Sequence, residues 1–111
     1  IKAGFSSLSG VNVGSRVELR GVRIGTLKKK FLDIKTEKAV AALELNKDYL
    51  LYDDSYARVK SSGLIGDKYI EIIQGSGFTD EYLGQGDYIS GKSALDLEEI
   101  ISKFIGGINM E

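Results

Sequence analysis

Along most of the chain, short apolar runs alternate with polar positions and break at glycines. Ile1–Phe5 opens with a strand-like segment, and Val17–Leu19 alternates apolar and charged residues, the period of a half-buried strand. Val22, Ile24 and then Leu27 to Leu32 read as another extended stretch. Ala39–Leu45 reads as a short strand, with Val40 and Ala42 facing away from Leu43 and Leu45. Tyr56–Lys60 and Tyr69–Ile73 are the clearest strands, rich in β-branched and aromatic residues. Tyr88–Ile89 forms a short last strand behind the turn-rich Gly84-Gln85-Gly86-Asp87. Many short strands with glycine turns predict an all-β fold, a small closed or nearly closed barrel, because closure is how short antiparallel strands avoid exposed edges.

The period changes at residue 93. Ser93-Ala94-Leu95-Asp96 has the form of a capping box, with Ser93 as N-cap. Asp96, Glu98 and Glu99 suit the positive end of a helix dipole. Leu97, Ile100, Ile101, Phe104, Ile105 and Ile108 then recur at helical spacing, and Gly106-Gly107 would end or fray the helix. The chain is therefore expected to divide into a barrel over residues 1–92 and an apolar, amphipathic C-terminal α-helix with its tail over residues 93–111. A barrel of this size is filled by its own side chains, so the helix stripe needs another surface. That surface is either the same chain's outer wall or a bundle of terminal helices, and the breadth of the stripe favours self-association.

Composition narrows the function classes. At 111 residues, 42% hydrophobic and 28% charged, the chain suits one globular domain. Its net charge of −1 gives no general attraction to nucleic acid or an anionic membrane. With no cysteine and no histidine, it lacks thiolate sites, the commonest general base and the commonest metal ligand. No cofactor, no metal and no enzymatic activity are expected; a carboxylate enzyme would need a marked acidic pair in a cleft. No apolar run approaches the ~20 residues of a membrane-spanning helix.

Weaker motifs have simpler readings. Lys28-Lys29-Lys30 reads as a solvated face or a lysine-protected edge rather than a phosphate patch. Gly75-Ser76-Gly77 is a weak phosphate-loop signal with no helix behind it. Asp53-Asp54 lacks calcium-loop spacing and reads as turn chemistry. An alternative of another class is a small barrel that binds protein or nucleic acid; it would want a basic face with interleaved aromatics, whereas the six tyrosines are scattered in sequence.

Three segments carry a family resemblance. The first is Gly14-Ser15-Arg16-Val17 followed by Arg20-Gly21-Val22-Arg23-Ile24-Gly25-Thr26-Leu27. The second is Ser55-Tyr56-Ala57-Arg58-Val59 leading to Ser62-Gly63-Leu64-Ile65-Gly66-Asp67-Lys68-Tyr69-Ile70-Glu71-Ile72. The third is Leu83 to Ile89, then Lys92-Ser93-Ala94-Leu95 and the terminal helix. Together they resemble the MCE (mammalian cell entry) domain, and the last segment looks MlaD-like. One departure is Leu51-Tyr52, where the family often has Ile-Pro, so a different local turn is expected there.

The resemblance implies a seven-stranded β-barrel in a homo-oligomeric ring, a hexamer, with no nucleic-acid partner. It implies a periplasmic domain anchored to the bacterial inner membrane by an N-terminal helix upstream of this sequence. It further implies that the ring passes phospholipid between an ABC transporter, with its permease and ATPase, and a soluble periplasmic lipid carrier. In such proteins the loop corresponding to Gly63-Leu64-Ile65-Gly66 lines the central pore. From the residues alone, Leu64 and Ile65 either tuck into the barrel, the commoner fate of apolar turn residues, or stand at a loop tip held by the flanking glycines. Gly21, Gly25, Gly63 and Gly66 are expected as structural turn glycines.

Overall fold

The computed structural model describes residues 1–63, 66–77, 81–84 and 86–92. Seven strands form a closed barrel: β1 (Lys2–Phe5), β2 (Arg16–Leu19), β3 (Val22–Asp33), β4 (Lys38–Leu45), β5 (Tyr56–Ser61), β6 (Lys68–Ile73) and β7 (Tyr88–Lys92). The order around the wall is β1-β4-β3-β2-β6-β5-β7 and back to β1. An odd number of strands in a closed ring cannot alternate in direction throughout. Here β1/β7, β2/β6 and β5/β7 are parallel and the other neighbours antiparallel. The terminal helix expected over residues 93–111 lies outside the described residues.

The alternation that marks the strands also fills the barrel. Ala3 and Phe5 of β1, Val17 of β2, Leu27 of β3, Ala41 and Leu43 of β4, Ala57 of β5, Ile70 and Ile72 of β6 and Ile89 of β7 form one buried cluster. Connections stopper both ends. Leu8 and Val11, from the segment between β1 and β2, are buried in that cluster, as is Leu51 between β4 and β5. Lys30 Nζ donates to the Val11 carbonyl at 2.8 Å, tying the first stopper to β3. The described residues therefore fill the lumen as a packed core.

One expectation needs correction. Gly25 is not in a turn: it lies within β3, opposite Val17 on one side and Leu45 on the other. A side chain there would run into the backbone of Glu44, so glycine is required by close strand approach. Lys28, Lys29 and Lys30 lie on the stretch of β3 that pairs with β4 alone, since β2 pairs only with the part from Val22 to Thr26. The three lysines are exposed because the β3/β4 register slips between Leu27 and Lys29, a bulge that inserts Lys28 and breaks the alternation. Gly21 does occupy a turn: with Arg20 at φ 52° and Gly21 at φ 82°, both central residues are left-handed, as a tight two-residue hairpin requires.

At the end carrying Leu51, polar groups are satisfied locally. Buried Ser55 donates to Gln74 Oε1 at 2.8 Å and accepts from the Gly75 amide at 2.9 Å. The Ser76 hydroxyl and amide both donate to Asp54, at 2.7 and 2.9 Å. Gly75-Ser76-Gly77 thus directs amides at its own chain rather than framing a phosphate. Where the family often has Ile-Pro, Tyr52 forms an isolated bridge to Tyr82 and stacks on its ring at 5.2 Å.

The Ser76 hydroxyl first, and its amide second, hold the Asp54 carboxyl below the usual carboxylate range. A depressed carboxyl contributes stability above its unfolded pKa and loses it as pH falls through the lower folded value. Ser76→Ala is therefore expected to move the Asp54 titration back up toward the ordinary range. The NMR-detected side-chain carboxyl shift against pH measures this; an unmoved titration would assign the depression to the amide alone.

Candidate functional site

The strand directions sort the connections. β1, β3, β5 and β7 run one way and β2, β4 and β6 the other. The connections β1–β2, β3–β4 and β5–β6 therefore share one end of the barrel, and the chain leaves β7 at Lys92 from that same end. Among the described residues there, Val13 and Ile34 are exposed and apolar, with Ile34 87% exposed.

The β5–β6 connection carries the sequence-predicted loop. The Ser62 amide donates to the Asp67 carbonyl at 3.1 Å and closes its base. Gly63 has φ 86°, a left-handed conformation that side-chain-bearing residues avoid. At Gly66 a Cβ would overlap the Ser62 carbonyl. The flanking glycines are thus fixed for two different reasons, one conformational and one steric. Leu64 and Ile65 between them lie outside the described residues, as do Leu97, Ile100, Ile101, Phe104, Ile105 and Ile108 of the expected helix.

The base of this loop is braced by residues whose role the sequence did not disclose. The Arg16 guanidinium pairs with Glu18, donates to Ser62 Oγ at 2.7 Å and lies 3.9 Å from the Tyr69 ring centroid. Arg16 and Glu18 share the outer face because they are two apart on β2. Glu18 stands opposite Glu71 in the parallel β2/β6 register. Like charges so placed repel. Arg16 on one side, and Arg58 at 2.6 Å with Lys60 at 3.9 Å on the other, offset that repulsion.

Arg16→Ala is expected to speed hydrogen exchange at the Ser62 amide while costing the barrel about 1–2 kcal/mol, since a partly buried ion pair and a cation–π contact each contribute modestly. NMR-detected exchange and thermal melting measure both; an unchanged Ser62 exchange rate would remove Arg16 as a brace.

A closed seven-stranded barrel with this glycine-bracketed loop has clear relatives. The family described as MlaD protein matches residues 1–75. The chain belongs to the MlaD family. It is 30% identical over 110 residues to the intermembrane phospholipid transport system binding protein MlaD of Haemophilus influenzae, covering 96% of this chain and 66% of that protein. This chain thus spans just under two thirds of that MlaD. In structure it is similar to a chain of the Acinetobacter MlaFEDB complex in an ATP-bound conformation. That likeness has a TM-score of 0.72 and 25% identity, over 94% of this chain and 79% of the other. The MlaD family match ends before β7, yet β7 closes the barrel between β5 and β1.

Proposed function

We propose that this MlaD-family chain is the phospholipid-handling subunit of a homo-oligomeric ring, a hexamer, on the periplasmic side of the bacterial inner membrane, and that it is not an enzyme. The ring would pass phospholipid between an ABC transporter and a soluble periplasmic carrier, and so maintain outer-membrane lipid asymmetry. One observation carries the reading: in a family whose Haemophilus member is named for phospholipid transport, the lumen of this barrel is packed. A lipid path must then run outside the single barrel, between copies. The likeness to a chain of an ATP-bound complex supports an energised partner.

In this reading Leu64 and Ile65 form an apolar collar around the path. The terminal helix over residues 93–111, with Leu97, Ile100, Ile101, Phe104, Ile105 and Ile108, gathers around the same axis. Support comes from the topology, since the β5–β6 loop and the exit of β7 share one end of the barrel. The alternative of a protein- or nucleic-acid-binding module draws on the outer wall, where Lys2 lies over Tyr88 at 5.7 Å and Lys92 over Tyr56 at 5.0 Å. These tyrosines are far apart in sequence but close in space. The family assignment favours transport.

The test is the mass and lipid content of the full-length protein purified in mild detergent. Light scattering should give a hexamer, and organic extraction with mass spectrometry should give phospholipid. A lipid-free monomer at micromolar concentration would refute the proposal.

A further inference from the structure

Beside the base of the Ser62–Asp67 loop lies a polar recess of about 350 Å³, lined among others by Asn12, Ser15, Arg16, Arg23, Asp67 and Lys68. We propose that this recess holds a phosphodiester anion, the group that a phospholipid carries in its head. The proposal rests on the lipid-handling reading above and adds to it a polar site beside the apolar loop.

The charges set the ligand class. Arg16 is committed to Glu18 and to the Ser62 hydroxyl. Arg23 contacts only a neutral acceptor among the described residues, Thr26 Oγ1 at 3.1 Å. Lys68 has no hydrogen-bond or ion-pair partner among them. With the Arg16–Glu18 pair neutral, Arg23 and Lys68 outweigh Asp67 by one positive charge. A singly charged diester balances that excess, whereas the carboxylate of Asp67 disfavours a dianion.

The recess is also shaped in advance. Gly10 sits at φ 83° against the Lys68 stem, and a Cβ there would press on Lys68 Cδ at 2.9 Å. The stem is thereby confined, which lowers the entropy lost when its ammonium engages an anion. The Asn12 amide donates to Ser15 Oγ at 3.0 Å, which leaves the Ser15 hydroxyl hydrogen available as a neutral donor. Arg16 and Asp67 belong both to the recess and to the loop base.

The experiment is an NMR titration of the isotope-labelled chain with three probes: inorganic phosphate, dihexanoylphosphatidylglycerol below its micelle concentration, and dihexanoylglycerol, which lacks phosphate. The phosphatidylglycerol probe should shift the Gly10, Asn12, Ser15 and Lys68 amides, and dihexanoylglycerol should not. The double variant Arg23→Gln/Lys68→Gln should raise the apparent Kd for that probe about tenfold or more, as loss of charge-assisted hydrogen bonds predicts. Weaker shifts from inorganic phosphate than from the diester assign the site to a lipid head; tighter binding of inorganic phosphate overturns the diester assignment. Equal shifts from dihexanoylglycerol, or unaltered binding by the double variant, overturn the recess outright. Neither result touches the transport reading, which fails separately if the full-length protein carries no phospholipid.

Discussion

Replacing Leu64 and Ile65 together by asparagine is expected to leave the melting temperature of the barrel nearly unchanged and to abolish phospholipid passage. Among the described residues, Phe5, Leu27, Ile70 and Ile72 already fill the wall and Leu8, Val11 and Leu51 close the ends. The loop base is held independently, by the Ser62–Asp67 backbone bond and by Arg16. The loss therefore falls on the lipid path. In the proposed collar, apolar contact stabilises an acyl chain by roughly 0.8 kcal/mol per methylene, and a ring of hydrated amides would remove that contact. If the pair instead packs inside the barrel, two uncompensated amides would cost several kcal/mol. Thermal melting of the double variant, beside lipid transfer by the full-length variant, separates the cases. A strongly destabilised variant ends the collar reading, and so does a stable variant that still transfers lipid.

The largest stability loss is expected from Phe5→Ala. Phe5 is fully buried, and its ring lies against Gly91 of β7, where a Cβ would meet ring carbons at 2.6 and 2.7 Å. Truncating a buried phenylalanine costs about 3–5 kcal/mol, and in a domain of this size each kcal/mol lowers the melting temperature by roughly 4–8 °C. A fall of about 15 °C or more should follow in a calorimetric scan. Gly91→Ala alone should also destabilise, by overpacking. In the Phe5→Ala background that cost should shrink without vanishing, because the Gly4 carbonyl also crowds the same position. A double-mutant cycle should return a coupling of about 1 kcal/mol. Strict additivity would show that ring and glycine do not share one space.

The strands were legible where one face is wet and the other dry. Val17 and Leu19 with Glu18 between them, and Ile70 and Ile72 with Glu71 between them, announce their faces at period two. The end of β7 was not legible, since Gly91 and Lys92 carry no strand preference and pair only because β5 lies alongside. Gly25 resembled a turn glycine because its real constraint, the Glu44 carbonyl, comes from another strand. The bulge at Lys28 hid the alternation of β3 behind three lysines. At the site, the glycine bracket of the loop was legible from its own four residues. Its Arg16 brace was not, because Tyr69 and Ser62 reach Arg16 only through the parallel β2/β6 pairing, which local sequence does not encode.

The parallel seating of β7 has a consequence for how the chain folds. Until residues 88–92 are available, β1 and β5 each present an unpaired edge, and no local hairpin can cover either one. β7 then pairs with β1 across most of the chain length, so the closing step carries a large loop entropy and a high contact order. Folding of this barrel should accordingly be slow for its size. A chain emerging vectorially would hold two sticky edges open until its last strand arrives, which is the interval in which a holding chaperone would matter most.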